Sequence, residues 1–322
     1  MSGPAVFRPS LHRYALLVAV ATALLLFVGG LVTSTGSALA VPTWPLDFGR
    51  LFPRMTGGVL FEMGHRLVAG TVALLTIGLA VWLWLAEPRR WVRLLGGTAA
   101  VTIVLQAVLG GITVLLGLPV AVAISHAGLA QIMFCLNVTL ALVTSRVWIE
   151  APAPAPDAGS PPLRTLSALT VVVVYVQILV GALVRHTGAG LAIPDFPLAF
   201  GRVWPVVMSP LVAYQLAHRI GAVVVTAMVL WTAGAALRRY PRTPALDGPA
   251  TLQLLFLSFQ LFLGATIIWT RRAVIPTTTH VLSGALLLAT SLVLALRSRR
   301  LLAPAGTVAR SPAPAAATPA SA

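Results

Sequence analysis

Four of the six histidines lie within long apolar segments of the chain, where ionisable side chains are costly and usually functional. The first pair is His65 and His126, and the second pair is His218 and His280. Each histidine falls about two helical turns, or roughly 10 Å, inside its segment if that segment is helical. Two imidazoles at a common depth on different helices can hold a planar metal macrocycle such as haem, one on each face. The alternatives are four hydrogen-bonded core histidines or a path for protons.

Other metal centres fit these residues less well. A zinc site needs a third or fourth ligand, and Cys135 lies nine residues beyond His126, about 13 Å further along a helix. A di-iron site needs several carboxylates, whereas the apolar segments contain only Glu62. The residue types therefore favour haem over a bare metal ion.

Glu62 distinguishes the first histidine pair from the second. It lies three residues before His65, so the two side chains share a helix face. The matching position of the second pair holds Gln215, which cannot ionise. A carboxyl group beside the first pair suits acid–base or proton-coupled work, so we expect this pair to do chemistry and the second to hold a permanent redox centre. The alternative is a structural carboxylate paired with Arg66 or with an arginine outside the membrane.

The two histidine pairs belong to an internal repeat. Residues 29–53 read GGLVTSTGSALAVPTWPLDFGRLFP, and residues 181–205 read GALVRHTGAGLAIPDFPLAFGRVWP, with 14 of 25 positions identical at an offset of 152. The first histidines of the two pairs match at an offset of 153, and the second histidines at 154. Since each unit contains an even number of apolar segments, the two units are expected to be parallel, related by an axis along the membrane normal.

The composition sets the class of protein that positions these residues. The chain has 322 residues, of which 58% are hydrophobic and 9% are charged, with a mean hydropathy of +0.94. Because a soluble domain carries about 25% charged residues, an ordinary soluble fold is excluded. We predict an all-α integral membrane protein with eight transmembrane helices, arranged as two tandem pseudo-symmetric four-helix bundles. The predicted spans are Tyr14–Thr33, Phe61–Ala86, Leu94–Leu116, Val120–Val147, Thr165–Val184, Leu211–Leu237, Leu252–Trp269 and Val274–Leu296.

The arginine distribution predicts the orientation of these spans. All 22 basic residues are arginine, and they stand singly or in short clusters between apolar runs, which indicates topology and not nucleic-acid binding. With the N-terminus inside, fourteen arginines lie on inner segments and six on outer segments, so both termini are predicted to be cytoplasmic. Six is more than such loops usually carry, which indicates an anionic partner outside. The outer arginines are Arg50, Arg54, Arg185, Arg202, Arg271 and Arg272.

The outer loops repeat as well, in the pattern Gly-x-x-Leu-Ala-x-Pro-x-x-Pro-Leu-x-Phe-Gly-Arg. Trp44 and Phe196 occupy matching places in a loop that could cover a bound ligand or act as a rigid cap. Each pattern ends in an arginine, Arg50 or Arg202, that could bind haem propionates bidentately or remain solvated. The single cysteine excludes an intrachain disulfide.

At these residues the sequence resembles the haem A synthase family. The resemblance covers about residues 12–300 and is carried by the TGSALAVPTWPL and TGAGLAIPDFPL loops, the Glu62-x-x-His65-Arg66 and Gln215-x-x-His218-Arg219 motifs, and the two histidines that follow Gln-x-x-x-Gly segments. It implies a membrane oxidoreductase that converts haem O to haem A by oxidising the C8 methyl group to a formyl group. The product would supply aa-type terminal oxidases.

The resemblance also implies site roles. Haem B would be ligated at His218 and His280, and the haem O iron would lie near His65 and His126, with Glu62 as the essential acid. Further implied partners are membrane lipid, a haem O synthase and an electron donor, with a possible homo-oligomer. Some family members carry a cysteine pair in the first outer loop, but residues 34–60 contain none here, so a thiol relay in that loop cannot apply.

The predicted organisation follows the repeat. Residues 1–150 form an N-terminal bundle with the substrate haem site, and residues 164–300 form a C-terminal bundle with the haem B site. Residues 151–163 are a cytoplasmic Pro/Ala linker, and residues 301–322 are a disordered tail. The expected location is the plasma membrane, crossed several times. The competing hypotheses are a dihaem electron-transfer protein without catalysis, which Glu62 argues against, and a transporter, which the outward position of the polar groups argues against.

Overall fold

The computed structural model describes residues 6–47, 49–50, 54–157 and 159–304. The described residues are mostly helical, and eight of their helices are long and apolar enough to cross a membrane, which confirms the predicted all-α membrane fold. The helices are α1 Pro9–Ser34, α2 Gly58–Ala86, α3 Arg90–Leu115, α4 Val120–Val143, α5 Arg146–Ile149, α6 Leu163–His186, α7 Pro210–Arg239, α8 Pro244–Trp269 and α9 Val274–Leu301. A 3₁₀ turn spans Ala189–Leu191, and two short strands, β1 Ala155–Pro156 and β2 Leu302–Ala303, pair in parallel.

The helices are longer than several of the apolar segments that predicted them. Both α1 and α8 begin at a proline, Pro9 and Pro244, ahead of the apolar run. Proline is well suited to the first helical position, where no intrahelical N–H bond is lost. The fourth predicted span was too long at its inner end, because α4 ends at Val143 and the Oγ atom of Ser145 then caps the separate short helix α5.

Neighbouring helices pack in a closed order within each half of the chain. In the first half α1 contacts α2, α2 contacts α3, α3 contacts α4, and α4 contacts α1. In the second half α6, α7, α8 and α9 contact one another in the same cyclic order. The halves meet where α1 and α4 pack against α9 and where α4 packs against α6.

Polar side chains between the helices bond to one another inside the protein. Asn137 donates to Thr22 at 2.9 Å, and Gln253 donates to Ser291 at 2.9 Å. Such bonds hold helices together in lipid, where apolar side chains gain nothing by leaving the hydrocarbon. The outward faces are apolar, with Leu74 and Leu85 73% and 80% exposed, which is the surface that lipid contacts.

The linker packs against the second half. The carboxylate of Asp157 accepts hydrogen bonds from the backbone N–H groups of Leu163 and Arg164 at the start of α6, and also from the Tyr240 hydroxyl. The adjoining strand β1 pairs with β2, so residues 301–303 are ordered, contrary to the prediction of a disordered tail from residue 301. The backbone pairing with the linker fixes these residues; residues 305–322 lie outside the described part of the chain.

Candidate functional site

The four intramembrane histidines lie at equivalent depths on four helices. His65, His126, His218 and His280 stand six to eight residues after the first residue of α2, α4, α7 and α9 respectively. The rings of His218 and His280 are 6.4 Å apart between centroids, at an interplanar angle of 71°. His65 and His126 also lie within electrostatic range of each other. The structure therefore brings together the two pairs that the sequence predicts.

Each of these histidines packs against a glycine on the preceding long helix. A Cβ atom placed on Gly29 would lie 3.1 Å from Cε1 of His65, and one on Gly110 would lie 3.0 Å from Cε1 of His126. In the second half the corresponding distances are 3.0 Å from Gly181 to His218 and 3.6 Å from Gly264 to His280. The missing side chains make the space that the imidazole rings occupy.

Glutamines support three of the four imidazoles. Gln177 Nε2 lies 3.0 Å from Nδ1 of His218, and Gln260 Nε2 lies 3.2 Å from Nε2 of His280. In the first half Gln106 Nε2 donates to the backbone oxygen of His126 and lies 3.3 Å from its Nε2.

His65 is the histidine without such an amide. Three of the four glycines that face a histidine have a glutamine four residues earlier on the same helix. Gly29 is the exception, because the residue four positions before it is Leu25. In the second half, Gly221 leaves room for Gln177, because a Cβ there would lie against the Gln177 amide oxygen. Val68 occupies the repeat-matched position in the first half. Leucine and valine thus replace the glutamine–glycine pair beside His65.

The arrangement fits a macrocycle better than a bare metal ion. Within the described ranges no group of three or more His, Cys, Asp or Glu side chains is placed to hold an ion. The Nδ1 atoms of His65, His126 and His280 are buried and have no hydrogen-bond partner in the described part of the chain. Paired imidazoles with unused nitrogens are suited to a metal that brings its own four equatorial ligands.

Glu62 is buried and tied to the first outer loop. Its Oε1 accepts from Nη2 of Arg66 at 2.6 Å, and its Oε2 accepts from the backbone N–H of Val41 at 2.7 Å. Arg66 also donates to the backbone oxygens of Val41 and Thr43. The pairing with Arg66, which the sequence left open as an alternative, is therefore present, and the catalytic role of Glu62 stays a prediction.

The second half makes the same contacts between helix and outer loop, but with the neutral Gln215 in place of Glu62. The amide oxygen of Gln215 accepts from the backbone N–H of Ile193, which matches Val41 in the repeat. Arg219 donates to the backbone oxygens of Ile193, Asp195 and Leu198. A glutamine at this position consequently holds the outer loop as the glutamate does.

The outer loops fold back over the helix ends. The indole of Trp44 packs so closely on α3 that a Cβ on Gly111 would lie 2.6 Å from it, one residue from the glycine under His126. Phe196 instead stacks edge-on with Trp269, with ring centroids 6.2 Å apart. The first loop thus packs an aromatic side chain against α3, next to the glycine that faces His126.

Asp195 shapes the second outer loop. Its carboxylate accepts from the backbone N–H groups of Gly201 and Phe200, each at 2.7 Å, and these bonds hold the pKa of Asp195 below its ordinary value. Arg50 and Arg202, the sequence-predicted propionate ligands, are exposed at the loop ends, where their backbones bridge to Asp47 and Ala199. Their proposed binding role remains a prediction.

Sequence reasoning recognised two Gln-x-x-x-Gly segments but missed Gln177 and the packing of the glycines against the histidines. A signal was available, because Gln177 and Gly181 have the same Gln-x-x-x-Gly spacing as the two segments that were recognised. The partner of each glycine could not be read from the chain, since it depends on how adjacent helices are rotated. The missed residues position the imidazoles that the sequence did identify.

The fold and site define a class: a multi-pass helical membrane protein with two pairs of partly buried histidines, one pair in each half of the chain. Residues 56–292 match the sequence model of a family described as cytochrome oxidase assembly proteins. Heme A synthase of Geobacillus kaustophilus is 31% identical over 301 residues, covering 90% of this chain and 93% of the relative. The Heme A synthase of Shouchella clausii is 30% identical over 273 residues, covering 82% of this chain and 88% of the relative. The chain belongs to the haem A synthase family of cytochrome oxidase assembly proteins.

Proposed function

We propose that this protein is a membrane oxidoreductase that converts haem O to haem A, oxidising the C8 methyl group to a formyl group. The observation that carries the proposal is the asymmetry between two repeat-related histidine pairs. Only the first pair stands beside a carboxylate, Glu62, where the second has Gln215. Family membership supports the same conclusion, since the relatives are named Heme A synthase.

The second half is the proposed haem B site, as one of two pseudo-symmetric four-helix bundles. His218 and His280 would ligate the iron, and Gln177 and Gln260 beside them would fix the orientation of both rings. Bound there, haem B supplies one-electron transfer between a donor and the substrate. Because a glutamine amide supports each imidazole, both histidines are suited to remain bound to a permanent haem.

The first half is the proposed substrate site. His65 and His126 would face the haem O iron, and His65 lacks the glutamine that supports the other three imidazoles. A less constrained ligand suits a group that must enter and leave. The Trp44 loop packs on α3 beside this site, and Arg66 holds the loop by donating to its backbone oxygens.

Glu62 is the proposed proton-handling group of this half. Its carboxylate already accepts two hydrogen bonds, from the Arg66 guanidinium and from the Val41 N–H. Protonation or deprotonation of the Glu62 carboxylate changes its bond to Arg66, which also donates to the loop backbone oxygens. Glu62 would thus link proton transfer to the position of the loop beside the substrate site.

The protein is proposed to act in the plasma membrane with both termini cytoplasmic. Its partners there would be membrane lipid, a haem O synthase that delivers the substrate, an electron donor and an aa-type oxidase that receives the product. A homo-oligomer is compatible with the long apolar outer faces. The inner position of the termini rests on the arginine count alone.

The substitution Glu62→Gln tests the function. The second half indicates that the loop contacts survive this substitution. There the naturally occurring Gln215 accepts from a loop N–H group, and Arg219 donates to the loop backbone oxygens. We expect the variant to fold and to retain haem B, but to yield 10²- to 10⁴-fold less haem A, about the contribution of one general acid–base group. The assay is co-expression with a haem O-producing enzyme, followed by haem extraction and mass analysis.

Two controls make this result decisive. The reciprocal variant Gln215→Glu adds a carboxylate to the second half, and its haem A yield should match that of the parent. Near-normal haem A from Glu62→Gln would leave Glu62 as a structural partner of Arg66. A parent that never produces haem A but binds two haems would instead establish the dihaem electron-transfer alternative.

A further inference from the structure

Two outer arginines of the second half, Arg185 and Arg272, form no ion pair with a carboxylate in the described part of the chain. Arg185 stands one residue before the end of α6, and Arg272 lies in the turn between α8 and α9. The chain has seven Asp and Glu residues, all within the described ranges, and its three ion pairs there join Glu62, Glu87 and Glu150 to other arginines. Within the described ranges no Asp or Glu side chain thus forms an ion pair with either guanidinium.

Arg185 lies where the two halves meet, close to the second histidine pair. Its Nη2 donates to the backbone oxygen of Gly30 at 2.7 Å and to Oγ of Ser34 at 2.8 Å, both neutral acceptors. The same Ser34 hydroxyl accepts from Thr278, two residues before His280. The charge of Arg185 lies within electrostatic range of the His280 imidazole. Arg185 is therefore at the outer rim of the proposed haem B site.

Arg272 adds a second positive charge at this rim. Its side chain packs on the 3₁₀ turn after α6, since a Cβ on Gly190 would lie 3.6 Å from its Cδ. It is close enough to Arg185 for the two like charges to interact. Two guanidiniums whose charges interact without a counter-charge repel each other, so an anion from outside the chain would stabilise the pair.

The pair exists in only one half. At the repeat-matched positions the first half has Thr33 and Leu118, which are uncharged. Leu118 and Arg272 have the same backbone conformation, with φ of 64° and 69°. The turn is thus shared, and only the second half carries charge on it.

We propose that Arg185 and Arg272 bind the carboxylate groups of the ligand held by His218 and His280. Guanidinium groups recognise carboxylates through paired, charge-assisted hydrogen bonds. Given the proposed function, on which this inference rests, these carboxylates are the two propionates of haem B. The first half lacks the pair because its haem must leave. A lipid phosphate group is the other anion that could occupy the same rim.

The test compares haem B with its dimethyl ester, in which both propionates are uncharged. The full-length apoprotein, produced under haem limitation, is titrated with each ferric haem in detergent. We expect the parent to bind the free acid more tightly by at least about 10- to 100-fold, the loss expected for a single charge-assisted bond. The double variant Arg185→Gln/Arg272→Leu should bind both haems equally, at the parent's affinity for the ester. A preference for the free acid that persists in the double variant overturns the proposal.

Matched variants separate charge from structure. Ser34→Ala removes the bonds of the Ser34 hydroxyl to Arg185 and Thr278 but keeps both guanidiniums and the bond from Arg185 to Gly30. Arg271→Leu removes an exposed arginine from the same turn. Both variants should keep the parent's preference for the free acid. Arg272→Leu alone, which Leu118 shows the turn to accept, should lose part of the preference even if Arg185→Gln fails to fold.

Two further outcomes identify the source of a failure. A parent that binds neither haem refutes the haem site itself, whereas a parent that binds both equally refutes only the arginine pair. Phosphatidylglycerol added to the micelles tests the lipid source. Suppose that the lipid stabilises the parent and not the double variant, while the double variant prefers the free acid as strongly as the parent does. The rim then binds lipid phosphate, and the carboxylate proposal is wrong.

Discussion

Replacing the glycine under a histidine should displace that imidazole by an amount that differs between two matched sites. A Cβ on Gly181 would lie 3.0 Å from Cε1 of His218, which is too close for two carbon atoms at rest. A Cβ on Gly264 would lie 3.6 Å from Cε1 of His280, an ordinary van der Waals contact. Gly181→Ala must therefore move the ring of His218 by a few tenths of an ångström, and Gly264→Ala need move nothing.

The helix itself responds equally to both substitutions. Each replaces a glycine inside a long helix by alanine, which favours the helix by about 1 kcal/mol. The difference between the variants thus reports the position of the imidazole and not helix stability. Because a metal ligand whose supporting contacts are disturbed typically loses about 10- to 100-fold in metal affinity, we expect that loss for Gly181→Ala and nearly none for Gly264→Ala.

The assay is the haem B content and low-spin absorption spectrum of the purified protein, with the free haem concentration varied by dilution. His218→Ala serves as the reference for complete loss of that ligand, and the unfolding temperature of the apoproteins checks that each variant folds. Equal haem retention by the two glycine variants would refute the positioning argument. Greater loss from Gly264→Ala would show that the haem-bound rings lie differently from the arrangement described above.

Three further predictions test other parts of the structure. Gly221→Val, which copies the first half, should expel the Gln177 amide from beside His218 and raise the rate of haem B loss, whereas Gln177→Leu should give the same effect without a steric change. Burial raises the pKa of Glu87, but the hydrogen bonds and charge of Arg89 outweigh burial and hold that pKa below its ordinary value. The ionised Glu87 therefore stabilises the fold above its pKa in the unfolded chain, and this stabilisation is lost as the pH falls through its pKa in the folded protein. Glu87→Gln should therefore lower the unfolding temperature at pH 7 and lose this effect below about pH 4, as scanning calorimetry can measure. A reporter active only outside the cytoplasm should be silent after the last helix and active within the first outer loop; the reverse would overturn the predicted orientation.

The sequence by itself determined the spans and the depth of the histidines. Helix formation in lipid follows from local composition, because every backbone polar group must be bonded within the segment, so eight apolar runs became eight long helices. The repeat then placed four histidines at one depth, since depth depends only on the count of residues from a helix end. The inner helix ends were less well predicted, because caps such as Ser145 decide them.

The tertiary structure decided which side chains meet. His218 faces Gly181 and Gln177 because α6 and α7 are rotated to place these residues opposite each other, and nothing local to either helix fixes that rotation. The same holds for the bond between the Glu62 carboxylate and the Val41 N–H of the outer loop, whereas its pair with Arg66, one turn along the same helix, is local and could be foreseen. Contacts between helices depend on the packing of all of them, so a linear sequence supplies candidates for a site while the fold selects their partners.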